Sequence, residues 1–249
     1  MDERNGGGRM GGVASWWRTA LDLFFPRSCA GCGGPVDGQD GYVCSDCLMA
    51  IVPVTEPFCA HCGDPIDGQA GKSFTCSLCV KSAPAFDLAR SAARFRGPLR
   101  PLLHQFKYAE ATHLSGDLTR LLAACVETHY DPVQVDMIAF VPLFHRRERE
   151  RSYNQARLLA ERLGRRYDRP VLRGLTRVRD TGTQTRLHMA ERVENVKGAF
   201  VVTEPRWVEG KTFLLIDDVM TTGATLREVA ASLKAAGAWR VLVATVARG

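Results

Sequence analysis

The chain has 249 residues, 45% of them hydrophobic and 24% charged, with a net charge of +6. That length holds one full α/β domain and something smaller. No apolar run approaches the roughly 20 residues of a membrane-spanning helix, so stable membrane insertion is not expected.

The chain opens on Met1-Asp-Glu-Arg-Asn-Gly-Gly-Gly, and residues 1–13 read as a polar, disordered tail. The tail lacks the apolar centre of a signal peptide. The expected location is therefore cytoplasmic, where thiols stay reduced and paired cysteines usually mean metal. Residues 14–25 carry Trp16, Trp17, Leu21 and Phe24 at helical spacing and stop at Pro26. This short helix lacks a basic face, which favours packing on the rest of the chain over a membrane or partner role.

Four Cys-x-x-Cys pairs follow: Cys29/Cys32, Cys44/Cys47, Cys59/Cys62 and Cys76/Cys79. Beneath them lies a repeat. Cys29-Ala-Gly-Cys-Gly-Gly-Pro-Val-Asp-Gly-Gln39 aligns with Cys59-Ala-His-Cys-Gly-Asp-Pro-Ile-Asp-Gly-Gln69. Each copy reads as a knuckle, a short hairpin and a second knuckle, so residues 14–82 are expected to form a short helix and a double zinc ribbon. A stretch this poor in large apolar side chains cannot easily build a core. Four thiolates around each of two structural Zn²⁺ ions replace one and tie folding to metal. The repeat favours ligand pairing within each copy, with a cross-braced arrangement as the alternative. His61 is expected to stay outside a site that four cysteines complete. The ninth cysteine, Cys125, lies in Leu-Leu-Ala-Ala-Cys-Val and reads as a buried helix residue.

From residue 83 to 249 the pattern is α/β. An edge strand is expected over 88–96, helices over 98–107 and 113–129, a buried strand over 137–142 and a helix over 152–166. A long polar loop follows, then a hairpin around 198–202, a strand over 213–216, a helix over 225–236 and a strand over 240–245. Such alternation predicts a parallel sheet with helices on both faces and a site at the carboxyl ends of the strands. Charge is uneven: residues 146–192 hold 14 Arg and no Lys against 6 acids. Arginine suits bidentate contact with a pyrophosphate or a nucleic-acid backbone.

The most informative stretch is Phe213-Leu-Leu-Ile-Asp-Asp-Val-Met-Thr-Thr-Gly-Ala-Thr-Leu226. An apolar strand leads into two carboxylates, a small-residue turn and a helix start. Val219, Thr221, Thr222, Gly223, Ala224 and Thr225 can wrap a phosphate with N–H groups and hydroxyls. Asp217 and Asp218 can accept hydrogen bonds from neighbouring ribose hydroxyls. The segment resembles the loop of type I phosphoribosyltransferases that binds phosphoribosyl pyrophosphate (PRPP).

Three further segments resemble the ComF family of competence-associated proteins: Gln105-Phe-Lys-Tyr108, Val141 to Ala156, and Arg179 to Phe200. With the cysteine module, the resemblance runs from Trp16 to Gly249. It implies a phosphoribosyltransferase-like fold, Mg²⁺ brought with PRPP, and a role in DNA uptake. It also implies partners among single-stranded DNA and the proteins of uptake or recombination. In related enzymes the loop after the strand matching 137–141 binds pyrophosphate. Here that loop starts at Pro142 and offers Arg146, Arg147, Arg149 and Arg151, with Asn154 and Gln155 at the next helix start. The loop 180–194 matches the flap that closes over substrate. Its Gln184, Thr185, Leu187, Glu191, Arg192 and Asn195 could touch ligand or anchor the flap. His104, His113, His145 and His188 have no spacing that identifies a base.

Catalysis would cleave the C1′ bond of PRPP, with Asp217 and Asp218 holding the ribose and the arginines stabilising departing pyrophosphate. Two readings compete: a phosphoribosyltransferase acting on an unidentified acceptor, and a non-catalytic, PRPP-sensing adaptor that binds nucleic acid. Nucleobase salvage is a third alternative. The sequence reaches Gly249 directly after its last strand, with no base-recognising hood behind it, which weighs against salvage. Aromatic residues among the arginines are few, essentially Tyr153 and Tyr167, which weighs against a base-stacking channel.

Overall fold

The computed structural model describes residues 27–36, 41–66, 68, 74–181 and 194–249. The expected tail over 1–13, the helix over 14–25 and most of the flap lie outside the described residues.

Four parallel strands form the central sheet in the order β1 (Leu88–Arg94), β6 (Arg240–Arg248), β5 (Thr212–Met220), β2 (Met137–Phe140). The inner strands β5 and β6 are aliphatic runs buried on both faces, as a covered parallel sheet requires. Side chains alternate between faces. Leu214, Ile216, Leu242 and Ala244 join one core, while Phe213, Leu215, Val241 and Val243 join the other. The first core is closed by α3 (Leu99–Tyr108), α4 (Ser115–His129) and α6 (Gln155–Tyr167); the second is closed by α7 (Ala224–Ala235). On α7 the buried Leu226, Val229, Ala230 and Leu233 recur at helical spacing. Cys125 is buried within α4.

Both sheet edges are covered. Val54 N–H bonds Ala92 O at 3.1 Å and Arg94 N–H bonds Val52 O at 2.8 Å along β1. Beyond β2, Ile138 N–H bonds Pro170 O at 2.9 Å and Leu172 N–H bonds Ile138 O at 2.8 Å. Such cover removes the unpaired edges that invite aggregation.

The duplication in the cysteine segment is geometric as well as sequential. Cys29 N–H bonds Gly34 O at 2.6 Å and Cys59 N–H bonds Asp64 O at 2.8 Å. Ala30 N–H bonds Tyr42 O at 2.9 Å, and Ala60 N–H bonds Phe74 O at 2.7 Å. The second knuckle of each copy runs into a five-residue helix, α1 (Ser45–Met49) or α2 (Ser77–Lys81). The copies are not beads on a string. Cys29, Cys44 and Cys47 belong to the core that holds Leu99 and Ile216, whereas Cys59, Cys62 and Cys79 belong to the core that holds Phe86 and Phe213.

Three expectations need correction. β5 runs four residues past Ile216 and β6 three past Thr245, because Asp217↔Thr245, Val219↔Ala247 and Met220↔Arg248 keep the two strands paired. Val219 is therefore a strand residue packed on the first core, not part of the turn. The stretch after Pro142 is not an open loop: His145–Arg151 forms helix α5, supported by an Arg146–Glu150 pair at 3.4 Å one turn apart. The expected hairpin around 198–202 is instead β4 (Phe200–Val202) paired antiparallel with β3 (Leu175–Arg177), which places both ends of the flap side by side.

Candidate functional site

The carboxyl end of β5 gathers the site. Asp217 and Asp218 are its sixth and seventh residues, so their side chains leave on opposite faces. Asp217 Oδ1 accepts the Asp218 N–H at 2.9 Å. Asp218 is buried and meets Lys107 Nζ, from the last turn of α3, at 3.0 Å. Burial, reinforced by the neighbouring Asp218 charge, pushes Asp217 up to about 7. Burial alone would lower Lys107, but the Asp218 carboxylate outweighs it and holds the ammonium above its ordinary range.

Past Met220 the chain turns through Thr221, Thr222 and Gly223 into α7. Gly223 takes the left-handed conformation at φ +74°, which an L side chain resists. Ala224 and Thr225 form the first turn of α7. The Gly223 N-cap provides no side-chain cap, and no acid lies in that turn. Thr222 Oγ1 accepts the Ala224 N–H at 3.4 Å, and the positive dipole end of this twelve-residue helix suits an anion.

Beside Asp218, α5 and α3 form a basic rim. Lys107, Tyr108, Glu110, Arg147, Glu150 and Arg151 line a cavity of about 240 Å³. The Arg151 guanidinium lies 4.8 Å from the Tyr108 ring centre and donates to Gln155 Oε1 at 3.2 Å. Gln155 donates in turn to Phe106 O at 3.4 Å and Lys107 O at 3.3 Å. Tyr153 OH donates to Phe106 O. The Gln105-Phe-Lys-Tyr108 segment and the 151–155 segment are therefore one interlocked unit that aligns Lys107 with Arg151.

Not every expected ligand residue joins the rim. Arg149 is exposed and does not line this cavity, and Arg146 pairs with Asp180 at 3.1 Å. Asn154 is buried, caps α6 by accepting Arg157 N–H at 3.1 Å, and donates to Val141 O at 3.1 Å. Gln155 holds scaffold, whereas Asn154, besides capping α6, lines a second cavity with Pro142, His145 and Arg177. Tyr167 OH is committed to Ala123 O and Glu127, and Tyr153 OH to Phe106 O.

Two basic residues escaped the sequence reading. Lys107 lay inside the Gln105-Phe-Lys-Tyr108 match, where only its pairing with a carboxylate would have marked it. Arg177, at the end of β3, donates to Thr181 Oγ1, and burial lowers its pKa with help from the like charge of Arg147, against the attraction of Asp180 and Asp217. No hydrophobic period marks it, because its place is set by the β3–β4 pairing.

The eight cysteine ligands separate into two clusters, Cys29/Cys32/Cys44/Cys47 and Cys59/Cys62/Cys76/Cys79, the sulfurs in each within 4.8 Å of one another. Pairing is thus within each repeat, and His61 stays outside. Four sulfurs about 2.3 Å from Zn²⁺ in a tetrahedron lie about 3.8 Å apart. Cys32 and Cys44 Sγ are 3.7 Å apart, and Cys62 and Cys76 Sγ are 3.6 Å apart. Cys29 Sγ accepts N–H bonds from Gly31 and Cys44, both at 3.3 Å, and Cys59 Sγ accepts one from Cys76 at 3.3 Å. Burial opposes charge on Cys29, but the N–H groups of Cys44, Cys32 and Gly31 bring it down to about 6. Against the same cost, Cys62, Cys76 and His61 N–H groups bring Cys59 to about 7. Each cluster therefore offers a thiolate before metal arrives, and both fit structural Zn²⁺.

Comparison with known proteins agrees with both halves. A double zinc ribbon domain is matched over residues 20–82 and a phosphoribosyl transferase domain over residues 155–249. Competence protein F of Haemophilus influenzae is 33% identical over 230 residues, covering 90% of this chain and 98% of that one. DNA utilization protein YhgH of Salmonella typhimurium is 33% identical over 228 residues, 89% of this chain and 96% of that one. Competence protein ComFC of Bacillus subtilis is 31% identical over 144 residues, 58% of this chain and 57% of that one. Among solved structures, the glutamine PRPP amidotransferase of B. subtilis, complexed with ADP and GMP, superposes on 57% of this chain and 30% of its own. The TM-score is 0.38 at 21% identity.

Proposed function

The chain belongs to the ComF family of competence protein F and DNA utilization protein YhgH, and from that premise we propose that it binds PRPP and serves DNA uptake or utilization. The observation that carries this reading is the meeting of Asp217 and Asp218, at the end of β5, with the α7 N-terminus that follows them and with a Lys107–Arg147–Arg151 rim reached through the Lys107–Asp218 pair. Thr221, Thr222, Gly223, Ala224 and Thr225 hold the 5′-phosphate. Asp217 and Asp218 accept from the ribose hydroxyls. Arg147 and Arg151 meet the pyrophosphate, with Gln155 positioning Arg151.

Among the described residues the only ligand clusters are the two cysteine sets, and Asp218 already holds the Lys107 ammonium. The carboxylates alone do not make a cation cage. Mg²⁺ would therefore arrive on the pyrophosphate oxygens and neutralise their charge. In a transfer reaction the acceptor's electron pair forms the new bond to C1′. The C1′–O bond breaks, and its electrons leave with pyrophosphate, which the arginines stabilise. Reduced thiols at both clusters suit a cytoplasmic location.

The test is pyrophosphate release from PRPP and Mg²⁺, with and without single-stranded DNA, alongside calorimetric binding of PRPP. Binding with release supports a phosphoribosyltransferase. Binding of PRPP and DNA without release supports the second reading, a PRPP-responsive adaptor, which the arginine surplus of residues 146–192 favours. Absence of PRPP binding overturns both.

A pH dependence follows from Asp217. Below about 7 its carboxyl carries a proton and loses acceptor strength. PRPP affinity is expected to fall as pH drops from 8 to 6, by up to about tenfold per unit. Asp217→Asn removes that part of the slope, leaving only the ligand's own titration. Parallel slopes for the two proteins in calorimetric titrations would refute the assignment.

A further inference from the structure

The second cysteine cluster is joined to the Thr221–Gly223 turn by two arginines, one at each end of the turn. Arg227 sits in the first helical turn of α7, where its backbone N–H bonds Gly223 O at 2.8 Å. Its guanidinium reaches away from the turn and donates to Ser82 O at 2.6 Å and to Cys79 Sγ at 3.4 Å. Arg248, at the end of β6, is buried and serves both sides at once. Its Nε and Nη2 meet Asp64 Oδ1 at 3.0 and 2.8 Å, and its Nη1 donates to Met220 O at 3.2 Å and to Thr221 O. Asp64 stands two residues after the ligand Cys62. Between them Gly63, at φ +65°, presses so closely on β1 that a Cβ there would lie 2.6 Å from Ala89 O. The knuckle thus has no slack against the sheet that carries the turn. The first cluster rests elsewhere: Gln105 Nε2 donates to Ala30 O at 2.6 Å, and Tyr42 N–H bonds Asp117 Oδ2 at 3.0 Å, contacts to α3 and α4.

We propose that zinc in the Cys59/Cys62/Cys76/Cys79 cluster and anion binding at the Thr221–Gly223 turn are thermodynamically coupled through Arg227 and Arg248. The proposal rests on reading that turn as a phosphate site. The coupling follows from the contacts. Four thiolates around Zn²⁺ carry a net charge of about −2, so Arg227 donates a charge-assisted bond to Cys79 in the loaded cluster. Loss of zinc releases Cys79 from its fixed place in the tetrahedron, and Arg227 loses a partner held 3.4 Å away. The knuckle also loses the constraint that fixes Asp64, and with it the anchor of Arg248. Both ends of the turn then loosen, and the donors of the α7 N-terminus lose their placement. Linkage is reciprocal: whatever factor zinc adds to anion affinity, the anion adds to zinc affinity.

The experiment follows zinc release from the intact, two-zinc protein with a metallochromic indicator under excess chelator, with and without saturating PRPP and Mg²⁺. PRPP binding is measured by calorimetry on the same preparation. PRPP stabilises the whole fold, so both zinc ions leave more slowly with it present, and one of the two is expected to be slowed about fivefold or more beyond the other. Arg248→Met and Arg227→Met are expected to retain two zinc ions and lose that extra slowing. Should either fail to fold, Asp64→Asn, which weakens only the Arg248 anchor, is expected to reduce the extra slowing. PRPP binding with no change in either release rate, or with both rates slowed equally in wild type and variants, overturns the coupling and leaves the binding site standing. No PRPP binding overturns the binding site and the coupling together.

Discussion

Asn at both Asp217 and Asp218 is expected to weaken PRPP binding by about 10²- to 10⁴-fold. Each carboxylate supplies a charge-assisted hydrogen bond to a ribose hydroxyl, worth about 1.5–3 kcal/mol, and each 1.36 kcal/mol is a factor of ten. The single variants separate binding from folding because the two acids sit in opposite environments. Asp217 keeps its proton in the folded chain up to about 7, against 3.8 for an unperturbed carboxyl. Between those values the unfolded chain has released a proton that the folded one retains, so stability falls as pH rises through the window. Asp217→Asn should therefore raise the melting temperature at pH 8 while it weakens binding. Asp218 is the partner of a largely buried ammonium at 3.0 Å. Asp218→Asn should destabilise by about 1–3 kcal/mol, the cost of an unsatisfied buried polar group. Lys107→Met added to it should recover stability without recovering binding. Undiminished PRPP affinity in the double Asn variant, read by calorimetry, would remove these acids from the site.

The strands were legible wherever burial writes a pattern. Phe213 to Ile216 and Arg240 to Thr245 are aliphatic runs, and a covered parallel sheet is the structure that hides both faces of such runs. Their continuation through Asp217 to Met220 was not legible. Backbone pairing with β6 carries the strand on after its side chains stop being apolar. Helix α5 was missed for a related reason. His145 to Arg151 has no apolar face, so only pairs such as Arg146–Glu150 speak for it. The ribbons were the easiest part, since ligand spacing repeated twice leaves little freedom. Their burial in two different cores could not be read, because it depends on which faces of the sheet the knuckles meet.

The site divides along the same line. The acidic pair and the small-residue turn are contiguous, and contiguous chemistry is visible in a sequence. The basic rim is assembled from α3 and α5, and its membership is decided by packing. Arg147 and Arg151 belong while Arg149 does not, since positions two apart on a helix do not share a face. Asn154 and Gln155 looked like ligands because they follow the arginines. Their amides instead close hydrogen bonds to Val141, Phe106 and Lys107. That closure fixes the distance between α3 and α6, so it sets the width of the cavity without touching what enters it.

Stripping zinc is expected to unfold the α/β body along with the ribbons, in one cooperative transition. Structural zinc contributes about 10–16 kcal/mol of apparent free energy in small zinc-dependent peptides. Whole domains are stable by only about 5–15 kcal/mol. An isolated ribbon could lose that energy privately, but here the ligands are core residues. Cys29, Cys44 and Cys47 are packed with Leu99, Leu102, Leu118 and Ile216; Cys59, Cys62 and Cys79 are packed with Phe86, Phe213 and Val243. A cluster that opens exposes apolar surface on the sheet face beneath it. It also releases Val52–Val54 from the β1 edge, which follows directly on the first cluster in the chain. Cys47→Ser should act like the chelator, since burial already holds the Cys47 thiol well above its ordinary range and only metal makes a thiolate there comfortable. Calorimetry and the far-ultraviolet helical signal, with and without a strong chelator, decide the matter. Loss of most helical signal together with the ribbons is the expected result. A chelated protein that keeps the helical signal and melting temperature of its α/β half would mean that the ribbons fold alone and that the shared cores carry little of the stability.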